Sequence, residues 1–156
     1  WHLDGNSNQI RWGQGLALTS LSDTTFSYDG LDSGGHYARM DIHGDSNSIV
    51  GFQQNGGGSS SGHTFTTLIW SDNNEIWARQ QGDGAKSLHI ETYNDGNEIE
   101  VRQKGNGANH SANIVLSGTY PTDLYLFQRS GVTQSYSLTQ NCLTVGGCGI
   151  SVTQGD

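Results

Sequence analysis

Residues 74–87 read NEIWARQQGDGAKS, and residues 97–110 read NEIEVRQKGNGANH. Eight of the fourteen positions coincide, and the second copy begins 23 residues after the first. The shared frame is Asn-x-Ile-x-x-x-Gln. Sliding it along the chain finds Asn8, Ile10 and Gln14; Asn47, Ile49 and Gln53; Asn74, Ile76 and Gln80; and Asn97, Ile99 and Gln103. A looser fifth copy has Thr122, Leu124 and Gln128. Successive copies start 39, 27, 23 and 25 residues apart. Self-similarity at a period in the twenties is the mark of a solenoid or array.

Within each copy the residues alternate. Asn74, Ile76, Ala78 and Gln80 share one face; Glu75, Trp77, Arg79 and Gln81 share the other. That is period two, hence strand rather than helix. Glycine-rich turns follow each Gln: NGGGSSSG, GDGA, GNGA and SG. A second strand-like run comes next: HTFTTLIW (63–70), SLHIETY (87–93), HSANIVL (110–116) and QSYSLTQ (134–140). Clusters such as HGDSN, SDNN and NDGN close each unit. The unit is therefore strand, Gly turn, strand, Asn/Asp turn.

One such arch buries little. Stacked at ~4.8 Å per rung, each strand pairs with its copies above and below. The inward aliphatics Ile10, Ile49, Ile76, Ile99 and Leu124 then form a core ladder. The inward amides Asn8, Asn47, Asn74 and Asn97, and Gln14, Gln53, Gln80, Gln103 and Gln128, form two further ladders. Buried amides are costly unless paired. Columns of identical amides donate and accept along the stack, so they remove that cost and fix the register. The predicted fold is an all-β solenoid of stacked strand-turn-strand arches, a cross-β arrangement of five to six rungs.

The totals agree with a repeat fold. The chain has 156 residues, enough for one domain, with 32% hydrophobic residues and 23 Gly. That is below the ~45–50% apolar share of an average domain, a share that also counts Gly. Four Trp, six Tyr and four Phe nonetheless argue for order. Within the single domain, residues 1–46 form an irregular first repeat, with HYARMDIH (36–43) as its second strand and an insertion at about 16–32. Residues 47–156 carry the regular repeats and a short C-terminal rung: Leu143 and Val145, a Gly turn, then Ile150, Val152 and Gln154. Cys142 and Cys148 are spaced for a small disulfide loop clamping that last turn, in an oxidising compartment; two free thiols are the alternative.

NEIEVRQKGNGAN (97–109) and NEIWARQQGDGA (74–85) resemble the first half of the curlin repeat, the unit of curli-type functional amyloid subunits. SYSLTQ (135–140) and SVTQ (151–154) resemble its closing Gln strands. The match covers about Asn47 to the C-terminus, with a trace at Asn8–Gln14. The closing Gln is absent from the second, third and fourth units, and the cysteine pair lies outside the repeat. The resemblance implies a secreted subunit that assembles with copies of itself into extracellular, cell-surface or biofilm-matrix fibres. It also implies secretion and nucleation partners. Physics points the same way, because an uncapped solenoid offers open strand edges to a further copy, giving head-to-tail polymers.

Other functions fit less well. A net charge of −8 argues against nucleic acid. No run of about 18 apolar residues suggests a membrane span. The opening WHLDG has no basic-then-apolar leader, so secretion requires earlier signal removal. No nucleophile–base pair or carboxylate dyad stands out, so no catalytic residue, cofactor or metal is expected. His36 and His43 fall on opposite faces, whereas His89 and His110 occupy similar places in adjacent units. DGNSN, GDSNS and NDGNE lack the order of a calcium loop. The alternative function is a monomeric secreted solenoid binding a glycan or other surface, with Trp70, Trp77 and Tyr93 as an outward aromatic strip.

Overall fold

Period-two alternation becomes twelve strands in a computed structural model that describes residues 1–15, 34–55, 61–104 and 107–155. They are β1 (His2–Asp4), β2 (Gln9–Gln14), β3 (Tyr37–His43), β4 (Ser48–Gln53), β5 (Thr64–Ile69) and β6 (Glu75–Gln80). There follow β7 (Lys86–Thr92), β8 (Glu98–Val101), β9 (His110–Gly118), β10 (Thr122–Gln128), β11 (Gln134–Cys142) and β12 (Cys148–Gln154). Odd-numbered strands form one six-stranded sheet and even-numbered strands a second, each stacked in chain order. Neighbours within both sheets run parallel. The described residues contain no helix. The fold is thus the expected β-solenoid; the insertion at about 16–32 lies outside the described residues.

The register is the one the repeat frame dictates. Ile10 pairs with Ile49, Ile49 with Ile76, Ile76 with Ile99, Ile99 with Leu124, and Leu124 with Ile150. Facing them from the odd-numbered sheet are Met40, Ile42, Phe65, Ile69, Leu88, Ile90, Ile114 and Leu116, all buried. A one-residue slip would turn each of these to solvent. The turns preceding the even strands repeat one conformation. Ser7, Ser46, Asn73 and Gly96, each just before the Asn of its unit, have φ of 59°, 58°, 57° and 74°. Short polar residues and Gly tolerate this left-handed region, which explains the Asn/Asp/Ser/Gly composition there.

Two expectations are corrected. Leu143 and Val145 are not strand; they lie in the turn, 65% and 80% exposed. Residues Cys148–Gln154 form β12, which pairs with β10 and is therefore a first strand of the unit, not a closing one. Gln154 pairs with Gln128 and prolongs the Gln column by one level. The Cys142–Cys148 disulfide joins β11 to β12 across that turn, with a Cα–Cα distance of 5.8 Å.

Side-chain volume is matched between levels. Trp12, half-buried, stacks on Phe65 with ring centroids 4.3 Å apart. Its in-register neighbour is Gly51, next to Ala78. A Cβ at Gly51 would lie 2.0 Å from the Ala78 carbonyl oxygen and 2.8 Å from the Trp12 ring. Gly51→Ala is therefore expected to destabilise the fold by about 1–3 kcal/mol through overpacking. Urea unfolding of both proteins measures this; equal midpoints would refute the packing account.

Candidate functional site in the stacked amide columns

Each ladder Asn occupies the last position of a turn, facing inward, because its strand begins on the next residue. Asn47, Asn74 and Asn97 are each 1% exposed. The Oδ1 atoms accept from the level above: the N–H of Asn47 donates to Asn8 Oδ1 (2.8 Å), that of Asn74 to Asn47 (2.9 Å) and that of Asn97 to Asn74 (3.1 Å). The Thr122 N–H donates to Asn97 Oδ1 at 2.8 Å and ends the file. Side-chain amides add Asn74 Nδ2 to Asn47 Oδ1 (2.9 Å) and Asn97 Nδ2 to Asn74 Oδ1 (2.7 Å). The column is one continuous chain of hydrogen bonds.

The Gln column differs from the expected file. It consists of couples: Gln14 Nε2 donates to Gln53 Oε1 (3.1 Å), Gln103 Nε2 to Gln80 Oε1 (2.7 Å) and Gln128 Nε2 to Gln154 Oε1 (2.8 Å). Among the described residues no amide pair links Gln53 to Gln80 or Gln103 to Gln128. Gln53 Nε2, Gln103 Oε1 and Gln128 Oε1 are buried without a partner among the described residues. The physical reason is a competing acceptor. Gln80, Gln103, Gln128 and Gln154 donate across the arch to the carbonyls of Thr64, Ser87, Ser111 and Ser135, at 3.0–3.3 Å. The Gln residues staple the two sheets together more than they join levels.

Two further columns escaped the sequence reading. At the Asn turns, the N–H groups of Asn6, Asp45 and Asp72 donate to Oδ1 of Asp45, Asp72 and Asp95 at 2.6, 2.7 and 2.9 Å. At the Gly turns, His63, Lys86 and His110 follow one another in the odd-numbered sheet, 0%, 1% and 2% exposed, with His36 one level before them. The Lys86 ammonium donates to three carbonyls, those of Asp83, Gly84 (3.0 Å) and Ala108 (2.8 Å). Burial lowers its pKa to about 8, against a smaller upward pull from Asp83. The Lys86 N–H donates to His63 Nδ1 at 3.2 Å, which places the His63 proton on Nε2, 2.8 Å from the Gln54 carbonyl. Neither buried ring nitrogen of His110 has a well-formed hydrogen bond among the described residues. Its pKa is lowered, by burial first and then by the Lys86 charge, against a smaller upward pull from the backbone at Lys104 and Ser130.

His89 and His110 are not neighbours: His89 pairs with Asn113, and His110 with Lys86. Trp77 is not part of an outward strip either. It is 3% exposed, clustered with Val50 and Phe52. Trp70 and Tyr93 are each half-exposed on the other sheet, Trp70 stacked on His43 at 4.2 Å. Among the described residues, no three His, Cys, Asp or Glu are placed to hold a metal ion, and no helix is long and apolar enough to cross a membrane. Comparisons with protein-family models, curated proteins and solved structures return no match.

Asn74 bonds in both directions, whereas Gln53 already has an unpaired amide. Asn74→Ala is expected to cost about 3 kcal/mol and Gln53→Ala about half of that. Equal losses in urea unfolding would contradict a continuous Asn file. Stability also depends on pH through His110. Its folded pKa lies below the unfolded value of about 6.5, so the unfolded chain binds more protons as pH falls past that point. The contribution is complete above pH ~6.5 and is lost on acidification. Thermal midpoints at pH 5 and pH 7 are expected to differ less for His110→Gln than for the unaltered chain; an identical difference would refute this.

Proposed function

We propose that the chain is a structural subunit of an extracellular, curlin-like fibre, assembling head to tail with copies of itself and carrying no catalytic chemistry. The supporting observation is the state of the outermost strands. Tyr136 and Leu138 of β11, and Ile150 and Val152 of β12, face inward yet remain only partly buried. Their in-register partners one level in, Ala112, Ile114, Leu124 and Leu126, are 0–4% exposed. Among the described residues no strand lies beyond β11 or β12. At the other end Ile10 and Trp12 are likewise partly buried. A second copy in register would set Ile10 over Ile150 and Gln14 over Gln154, continuing both columns. The disulfide fits an oxidising, extracellular setting. The second reading, a monomeric surface binder, draws support from the half-exposed Trp70 and Tyr93.

Edge chemistry gives the test. The Cys148 N–H donates to the Pro121 carbonyl, and the Gln154 carbonyl accepts from Arg129, so the even-numbered residues of β12 bond to β10. Alternation leaves the N–H groups of Gly149, Ser151 and Thr153 directed at the free edge. Ser151→Pro with Thr153→Pro removes two of them, as edge strands tolerate. The unaltered chain is expected to pass from 16.8 kDa monomers to sedimenting, amyloid-dye-positive filaments. The double variant is expected to stay monomeric with strand circular dichroism intact. An unaltered chain that remains monomeric at high concentration would favour the surface binder and end the fibre proposal.

A further inference from the structure

The chain has seven Lys and Arg residues against fifteen Asp and Glu. Four of the seven, Arg79, Arg102, Lys104 and Arg129, gather on the outer face of the even-numbered sheet. Register explains the gathering. Gln81 bridges to Lys104, and Lys104 to Arg129, so cations from three successive levels fall into adjoining columns. Aromatic rings hold the guanidinium groups in place: Arg79 lies 4.6 Å from the Trp77 centroid, Arg102 lies 5.6 Å from Tyr125, and Arg129 lies 5.6 Å from Phe127. Between them is a cup of about 110 Å³ lined by Arg79, Gln81, Arg102, Lys104 and Phe127.

The charges of the cup are not balanced. Arg102 donates to Glu100 Oε1 at 2.6 Å. Among the described residues Arg79 has no carboxylate ion-pair partner, and its Nε is buried without an acceptor. Its pKa is lowered, first by burial and then by the neighbouring Arg102. Three cations line this cup and only Arg102 has a carboxylate partner among the described residues, so the positive charge is left for an anion to neutralise. We propose that this cup binds one small oxyanion group, a carboxylate or a phosphate, with Arg79, Lys104 and Gln81 donating to it and the body of the ligand resting against Phe127. The volume admits one such group. The net charge of −8 disfavours a long polyanion and favours a ligand with a single charged group, such as a sugar acid or a phosphate monoester. The inference does not depend on polymerisation, because the cup lies on a face and not at an edge.

Equilibrium dialysis of the full chain, as monomer or filament, against radiolabelled glucuronate and radiolabelled inorganic phosphate tests it. At low salt, saturable binding of one equivalent per chain is expected for at least one of the two. The tighter of them identifies the source, a sugar acid or a phosphate ester. Lys104 is exposed, so Lys104→Gln preserves the fold. It is expected to weaken binding by roughly 10-fold, the effect of one charged donor. Arg79→Gln with Lys104→Gln is expected to abolish binding, and Arg39→Gln, on the other sheet, to leave it unchanged. Isotherms for Lys104→Gln that match the unaltered chain would overturn the proposal. So would competition by neutral glucose, or no saturation by either anion up to roughly 10 mM.

Discussion

In a parallel, in-register stack every inward side chain meets its own counterpart one level away. This constraint decides which polar residues the interior accepts. An amide carries both donors and acceptors, so it can satisfy itself by repetition, and Asn recurs from Asn8 to Asn97 in one file. A lysine carries only donors and repels its copy. Lys86 accordingly occurs once in its column, flanked by His63 and His110, with its ammonium turned to three turn carbonyls. A carboxylate has only acceptors, yet Asp45, Asp72 and Asp95 do recur. They lie at the turns, and each accepts from a backbone N–H of the preceding level rather than facing another carboxylate alone.

The constraint also explains how the last level is held. Thr122 pairs with Cys148, so a cysteine stands where the earlier levels have Asn. There the amide file has ended, and a covalent bond to Cys142 secures the turn instead. A loop with a sequence separation of 6 gains about 2 kcal/mol from closure on a chain-entropy account. That is comparable with one good buried amide pair. The disulfide leaves the free edge of β12 untouched, so it stabilises the final strand without closing the stack to a further copy.

The fold was legible because the repeat frame fixes both period and register. Asn8, Asn47, Asn74 and Asn97 announce the turn, and the paired Ile residues announce the inward face. What stayed hidden depended on pairing between strands of unequal connection length. SVTQ, with Gln154, resembles a closing Gln strand of the curlin repeat as SYSLTQ does, and only the pairing of β12 with β10 shows which column it joins. The opposition of His110 to Lys86 rather than His89 rests on a register offset that spacing in the sequence does not reveal. Trp77 alternates outward as expected, but outward is not exposed: Val50 and Phe52 share its face and it is buried with them. The Gln couples were hidden for another reason. An inward Gln is long enough to cross the arch, so its donors divide between its own column and the opposite sheet. The Asn file stays continuous because each Asn Oδ1 also accepts the backbone N–H one level on, even where Nδ2 of Asn8 and Asn47 turns to the Gly44 and Ser71 carbonyls.

Inside and outside thus carry different information. Inward residues answer to the stack, so a change at one level disturbs those above and below. Outer residues of the even-numbered sheet, apart from the buried Val50, Phe52 and Trp77, are free of that requirement, and their columns differ sharply in charge. Glu75, Glu98 and Asp123 are in register on one side of the face, Lys104 and Arg129 on the other, with the arginine-capped aromatic rings between. Like charges one level apart repel, and the acidic column of exposed carboxylates adds nothing to the stability of the solenoid. Stacking alone would favour alternating signs along each column. The observed segregation instead concentrates opposite potentials on two edges of one face, an arrangement that orients whatever approaches the sheet. On the fibre proposal, self-association would rest on the inward columns and anion recognition on the outward ones, so the two could change independently.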